Sequence, residues 1–286
     1  MLLPFVRTLT VAAVALAPLL PAASRAAGPA QRIVSLNLCT DELLLRLADP
    51  AKIASVTWLS RNPGSNVPEL AARVPINYGL AEQVLAVEPD LVLAGTFTTR
   101  IAVGMLKRTA MPVVEVSPPR NLDDVRQQIR EIASLVGAED KGRDMITEMD
   151  RRIAAMANKP RPMRPTAIVL NPNGATVGAG SLVNEIITAA GLENIRARPG
   201  VDNYGQIPLE VVAANEVDVL IVSASRDGPA SKATEVLNHP ILAKLPHTRV
   251  VTMPARLWNC GGPAVADAVE RLDAVATEVA RGKAMR

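Results

Sequence analysis

Glu82-Gln-Val84-Leu-Ala-Val-Glu88-Pro-Asp90-Leu-Val-Leu93 and Glu210-Val-Val212-Ala-Ala-Asn-Glu216-Val-Asp218-Val-Leu-Ile221 read as two versions of one unit. At a constant offset of 128 positions, Glu82, Val84, Glu88 and Asp90 meet Glu210, Val212, Glu216 and Asp218. Each copy has a short helix with a carboxylate in its first turn, where the helix dipole favours it, then a turn and a buried strand. Any helix–turn–strand unit resembles another in outline. Identities held at one long spacing favour two equivalent lobes.

Working outward from the first copy, apolar β-branched runs stand at Arg32-Ile-Val-Ser-Leu36, Ile53–Val56, Leu91–Leu93 and Val113–Val116. Helical patterns at 41–47, 80–87 and 100–109 separate them, with Asn37 and Thr40 as cap candidates for the first. Strands alternating with helices predict a parallel sheet covered on both faces. After Val116 the rhythm changes. Asn121 caps a helix with Asp123 and Asp124 in its first turn, and Leu122, Val125, Ile129, Ile132 and Val136 line one face up to Gly137. A further helix carries Met145, Met149, Ile153 and Met156 at helical spacing, which reads as core filling. Pro160, Pro162 and Pro165 then stop helix formation. Strand and helix alternate again from Thr166: a strand at 167–170, a helix at 181–190, strands at 217–222 and 250–252, and a last helix from Pro263 to Val279. The expected architecture is α/β: two Rossmann-like lobes with parallel sheets, residues 27–120 and 160–286, joined by a long helical segment at 121–159, with a ligand cleft between the lobes.

Residues 1–26 read as a secretory signal. Arg7 gives a positive start, 9–20 is a short apolar run broken by Pro18, and Ser24-Arg25-Ala26 places small residues at a cleavage point. The run is shorter than the ~20 apolar residues of a membrane span. Export, with periplasmic residence of the cleaved chain, is the expectation. Discounting Arg7 and Arg25, the formal charge of +3 falls to +1, and no basic block remains to suggest nucleic acid as a partner. Aromatic residues make up only 2% of a chain that is 49% hydrophobic, which suits a helix-rich α/β protein better than a β-sandwich.

Taken together, these segments resemble the periplasmic binding proteins for cobalamin and ferric siderophores, whose two lobes are joined by a rigid helix. The resemblance spans residues 27–286. It rests on the 32–36 run entering a helix through Thr40-Asp41-Glu42-Leu43, on Glu82 to Leu93, on the 121–159 segment, and on Asn238-His-Pro240 leading to Leu245-Pro246 and Val250-Val251. It implies a monomeric solute-binding protein that delivers a metal chelate to the membrane subunits of an ABC importer. A ferric siderophore comes first, then cobalamin or haem, with no resident cofactor. It also implies that Glu82 and Glu210 meet arginines of the two membrane subunits, although both also suit solvated helix starts. Carried across, the ligand would be lined by Cys39, Phe97, Thr98, Arg100, Asn173, Tyr204, Arg226, Arg256 and Trp258. The rings of Phe97, Tyr204 and Trp258 would face a bulky chelate, and Arg100, Arg226 and Arg256 its acid groups. Trp58 and Tyr78 lie on other loops and rank lower.

Cys39 and Cys260 have no C-x-x-C spacing. An isolated pair in an exported chain suggests a disulfide, which the resemblance would place across the cleft; two separate thiols, or a thiol touching bound metal, are the alternatives. His239 and His247 sit in turn sequences without other ligands at metal-binding spacing, so no protein-built metal site is expected. A metal-dependent hydrolase, or a ligand sensor for a membrane receptor, would be the competing functions. The chain carries no Gly-x-Ser-x-Gly elbow or His cluster to support the hydrolase.

Overall fold

In the computed structural model, which describes residues 28–197, 204–214, 217–224, 231–245 and 247–285, the apolar runs of the first half pair into one parallel sheet. Its strands are β1 (Ile33–Ser35), β2 (Ile53–Thr57), β3 (Ile76–Asn77), β4 (Leu91–Gly95) and β5 (Val113–Val116), in the order β3-β2-β1-β4-β5. The helices along this half are α1 (Leu38–Leu47), α2 (Pro68–Ala71), α3 (Ala81–Leu85) and α4 (Arg100–Arg108). Of the two cap candidates for α1, Asn37 is the one used. Its side chain accepts from the Cys39 amide at 2.8 Å, while Thr40 is buried inside the helix.

The connecting segment is two helices. In α5 (Leu122–Val136), the Asn121 side chain accepts from the Asp124 amide at 2.7 Å. The helix ends at Gly137, whose φ of 69° is the left-handed conformation that lets the Ala138 amide turn back to the Ala133 carbonyl. The chain then reverses into α6 (Glu139–Ala157), which packs on α5 and on two helices of the second half, α7 (Leu182–Ala189) and α10 (Ala264–Ala284). Met149 and Ile153 are buried, as the core-filling reading expects, and Arg152 pairs with Asp267 and Glu270 of α10 at 2.5 and 2.6 Å. The last helix runs five residues beyond the expected stop at Val279.

The second half builds a four-stranded parallel sheet, β11-β10-β6-β8, from β6 (Thr166–Leu170), β8 (Glu193–Asn194), β10 (Val219–Ala224) and β11 (Arg249–Pro254). A separate antiparallel pair joins β7 (Ala175–Val177) to β9 (Tyr204–Gln206), and the short helices α8 (Leu209–Ala214) and α9 (Lys232–Glu235) complete this half.

Residue parity shows how the halves combine. Successive side chains of a strand point to opposite faces. Ile33, Leu91 and Leu93 of the first sheet, and Ala167, Val169, Val219 and Ile221 of the second, belong to one continuous apolar core with α5, α6, α7 and α10. Their neighbours Val34, Val92 and Ala94 face one outer cluster, and Ile168, Leu170, Leu220 and Val222 another. The offset of 128 is even, so the repeat preserves which residues face inward. It preserves a polar device as well. Asp90 accepts from the amides of Gln31 and Arg32 at 2.8 Å, at the head of β1, and Asp218 accepts from the Thr166 amide at 2.9 Å, at the head of β6. At Asp218 burial pushes the carboxyl up, but Lys283 and Thr166 outweigh it and hold the group below the usual carboxylate range.

Candidate functional site

In a parallel α/β sheet, ligand-contacting loops leave the carboxyl ends of the strands. Here those ends meet along a seam. The Asn66 side chain donates to the Arg256 carbonyl at 2.7 Å and to Glu42 at 2.9 Å, and it accepts from the Arg256 guanidinium at 3.0 Å. Beside it, Cys39 in the first turn of α1 is bonded to Cys260, just before α10, with Cα atoms 5.1 Å apart. That separation lies within the range a disulfide requires. Of the three fates open to the cysteines in the sequence, the structure has the bond, which leaves no free thiol to touch a metal.

On the first sheet, three rings follow three strands. Trp58 comes after β2, Tyr78 after β3 and Phe97 after β4, with exposures of 42%, 61% and 74%. Trp58 and Tyr78 stack, their centroids 6.4 Å apart. Large apolar rings left in water at one end of one sheet offer faces for a ligand.

Each ring stands on a loop held by a polar side chain: Asp41 of α1, Asn77 of β3 and Asn37, the cap of α1. Asp41 of α1 is fully buried and accepts from the Thr57 amide at 3.1 Å and from the hydroxyls of Thr57 and Ser60 at 2.5 Å, on both sides of Trp58. Burial pushes its carboxyl up to about 6, against the opposing pull of Ser35, Ser60 and Thr57. Asn77, also buried, donates to the Ser35 carbonyl and Ser55 hydroxyl and accepts from the Gly79 amide, so the turn at Tyr78 is closed around it. Asn37 donates to Thr98 at 3.2 Å beside Phe97. Gly95 makes that approach possible, because a Cβ there would stand 2.7 Å from the Asn37 amide nitrogen.

The remaining residues expected from the sequence are distributed as follows. Thr98 is exposed, as is Arg100 at the first position of α4, and Asn173 is exposed in a left-handed turn with φ 59° after β6. Arg256 is exposed and tied to Asn66. Tyr204 opens β9, but its side chain and all of Arg226 lie outside the described residues. Trp258 requires a correction. It is 3% exposed and packed in the core that both sheets share, because the turn from Ala255 to Cys260 folds it inward. Its ring offers no free face, whereas the rings of Trp58 and Tyr78, ranked lower from the sequence, stand exposed. Each lies just beyond the carboxyl end of a strand, a position that Trp258 shares, so the sequence carried no signal that separates them. Glu82 and Glu210 are both exposed second residues of their helices, α3 and α8. His239 caps the turn before Ile241, and among the described residues no group of three or more His, Cys, Asp or Glu could hold a metal ion.

Residues 33–257 match the family described as periplasmic binding protein. A cobalamin-binding protein of Halobacterium salinarum is 26% identical over 206 residues, covering 69% of this chain and 55% of the relative. The chain thus spans about half the length of the curated relatives it matches. Among solved structures, the apo periplasmic heme-binding protein RhuT from Roseiflexus sp. RS-1 superposes with a TM-score of 0.69 at 24% identity, over 87% of this chain and 99% of that one. The periplasmic vitamin B12 binding protein BtuF of Vibrio cholerae gives 0.64 at 19% identity, over 88% and 98%. At these identities the likeness speaks for the fold.

Proposed function

The chain belongs to the periplasmic binding protein family, and from that premise we propose that it captures a flat metal chelate of the tetrapyrrole class and passes it to an ABC importer. The observation that carries this reading is the set of exposed rings of Trp58, Tyr78 and Phe97 on three strand ends of one sheet. A planar conjugated ligand covers such faces and removes their apolar surface from water. Tyr78 adds a phenol oxygen, a donor that suits ferric haem iron, and Arg100 and Arg256 suit acid side groups. The ferric siderophore placed first from the sequence moves behind haem and cobalamin, because a chelate without an extended plane would use the rings less fully. The binding activities named for the cobalamin-binding relative and the heme-binding neighbour support the same class. Members of the family are binding proteins, so the hydrolase alternative is set aside. In this reading residues 1–26 direct export and are removed, and Glu82 and Glu210 present equivalent charges to the two membrane subunits.

The test is titration with haemin, cyanocobalamin and a ferric hydroxamate, following absorbance and melting temperature. A tetrapyrrole at a hundredfold excess over its dissociation constant should stabilise the fold by about 2.7 kcal/mol through mass action. Phe97→Ala should weaken that binding by about 1–3 kcal/mol. A melting temperature that moves with neither tetrapyrrole refutes the ligand class.

A further inference from the structure

The Trp58 turn differs from the other two ring-bearing loops in what holds it. Trp58 to Arg61 form one 3₁₀ turn with no side-chain cap of their own. The polar groups on either side of the ring, the Thr57 amide, the Thr57 hydroxyl and the Ser60 hydroxyl, all converge on one carboxylate from another element. That carboxylate, Asp41, is 0% exposed, as is Ser60, and Thr57 is 5% exposed. Behind it, Ser35 and Thr40 share a hydrogen bond of 2.7 Å that fixes the first turn of α1 against β1. The far end of the turn is pinned by Arg61, which donates to the carbonyls of Ala71 and Val74. A carboxylate is an unusual choice for a position without solvent, because neutral side chains could bond one hydroxyl at lower desolvation cost. Both carboxylate oxygens face donors, the Thr57 amide lying 3.3 Å from one and 3.1 Å from the other, and an amide would turn a donating NH2 toward that N–H in place of one acceptor.

We propose that Asp41 is a positioning residue for the ligand-facing indole: its carboxylate gathers the donors flanking Trp58 and thereby sets the attitude of that ring against Tyr78. Arg61 pins the far end of the turn, and Asp41 holds the near end, where the ring stands. With the turn held, the stacked pair is presented as one preorganised surface, and binding does not have to order it. The part of this inference that concerns affinity rests on the tetrapyrrole reading; the part that concerns the ring does not.

Trp58 and Trp258 are the only tryptophans in the chain, so Trp258→Phe isolates the fluorescence of Trp58. In that background, Asp41→Asn, Ser60→Ala and their combination are compared without ligand by emission maximum, anisotropy and acrylamide quenching. The expected result for Asp41→Asn is a red shift, lower anisotropy and about a twofold rise in the quenching constant. Ser60→Ala should give a smaller change of the same sign, and the double variant should go no further than Asp41→Asn, because both act through one network. Emission and quenching of Trp58 unchanged in a folded Asp41→Asn protein would overturn the proposal. If that variant does not fold, unchanged Trp58 signals in both Ser60→Ala and Thr57→Val overturn it equally. With haemin as the probe, Asp41→Asn should lose affinity on the order of tenfold in the Trp58 protein and little in a Trp58→Ala background. An equal loss in both backgrounds also overturns it. A parent protein that binds neither haemin nor cyanocobalamin refutes the ligand class alone, and the ligand-free fluorescence then decides the role of Asp41.

Discussion

Replacing both cysteines by serine removes a cross-link whose two ends lie 221 positions apart. On the chain-entropy account, closing a loop of that length lowers the entropy of the unfolded chain enough to stabilise the fold by about 5 kcal/mol. Two contacts of the same seam survive the change: the reciprocal bonds between Asn66 and Arg256, and the burial of Leu257 and Trp258. The native fold should therefore persist while the unfolded state gains freedom. Equilibrium unfolding in guanidinium chloride, oxidised wild type against Cys39→Ser/Cys260→Ser, should show the midpoint fall. The slope should rise, since an unfolded chain without the cross-link exposes more surface. A loss near 5 kcal/mol supports the entropic origin, and a loss of 2–3 kcal/mol would mean that the unfolded chain stays compact around the seam. Two titratable thiols in denatured, unreduced wild type, or unfolding curves that coincide, would refute the reasoning.

Charge reversal at Glu82 and Glu210 together should abolish uptake in cells while leaving ligand affinity in vitro intact, and each single change should give a partial, salt-sensitive defect, because exposed ion pairs are screened. Asp41 predicts a pH dependence. Its folded pKa of about 6 lies above the unfolded value of 3.8, so the native state holds its proton more tightly. The resulting stabilisation is complete below about pH 4 and is lost as pH rises through about 6, an amplitude of ~3 kcal/mol. The stability difference between wild type and Asp41→Asn should change by that amount between those limits, and a pH-independent difference would contradict it. Leu93→Ala, at a fully buried position of β4, should cost about 2–5 kcal/mol without altering the disulfide.

The strands buried on both faces were legible because such strands appear as unbroken apolar runs; 33–36, 91–93 and 167–170 all lie in strands or directly beside them. β3, β7, β8 and β9 escaped because two or three residues carry no period. The caps at Asn121 and Gly137 were legible because capping chemistry is local. Which tryptophan is presented and which is buried was not, since both follow a strand-like run and only the fold of the next turn separates them. Trp58 is held outward by Asp41, sixteen to nineteen residues away from its partners Thr57 and Ser60, and Trp258 is drawn inward by the bonded loop that ends at Cys260. The cysteine pairing was likewise open until α1 and the approach to α10 were placed side by side.

The inward-facing side chains of both sheets feed a single interior. In mechanical language, the two jaws are cut from one block and not hinged from two. A push delivered at the exposed start of α3 would not be absorbed by a slack joint. It would pass through the first sheet and α1 to α5 and α6, and reach α10 through the Arg152 pairs. Such a body yields at its loops before it yields at its waist. A transporter gripping both ends would thus spend its effort on the strand-end turns that carry the rings, and the cargo would be released by prying those turns apart, with the core left whole.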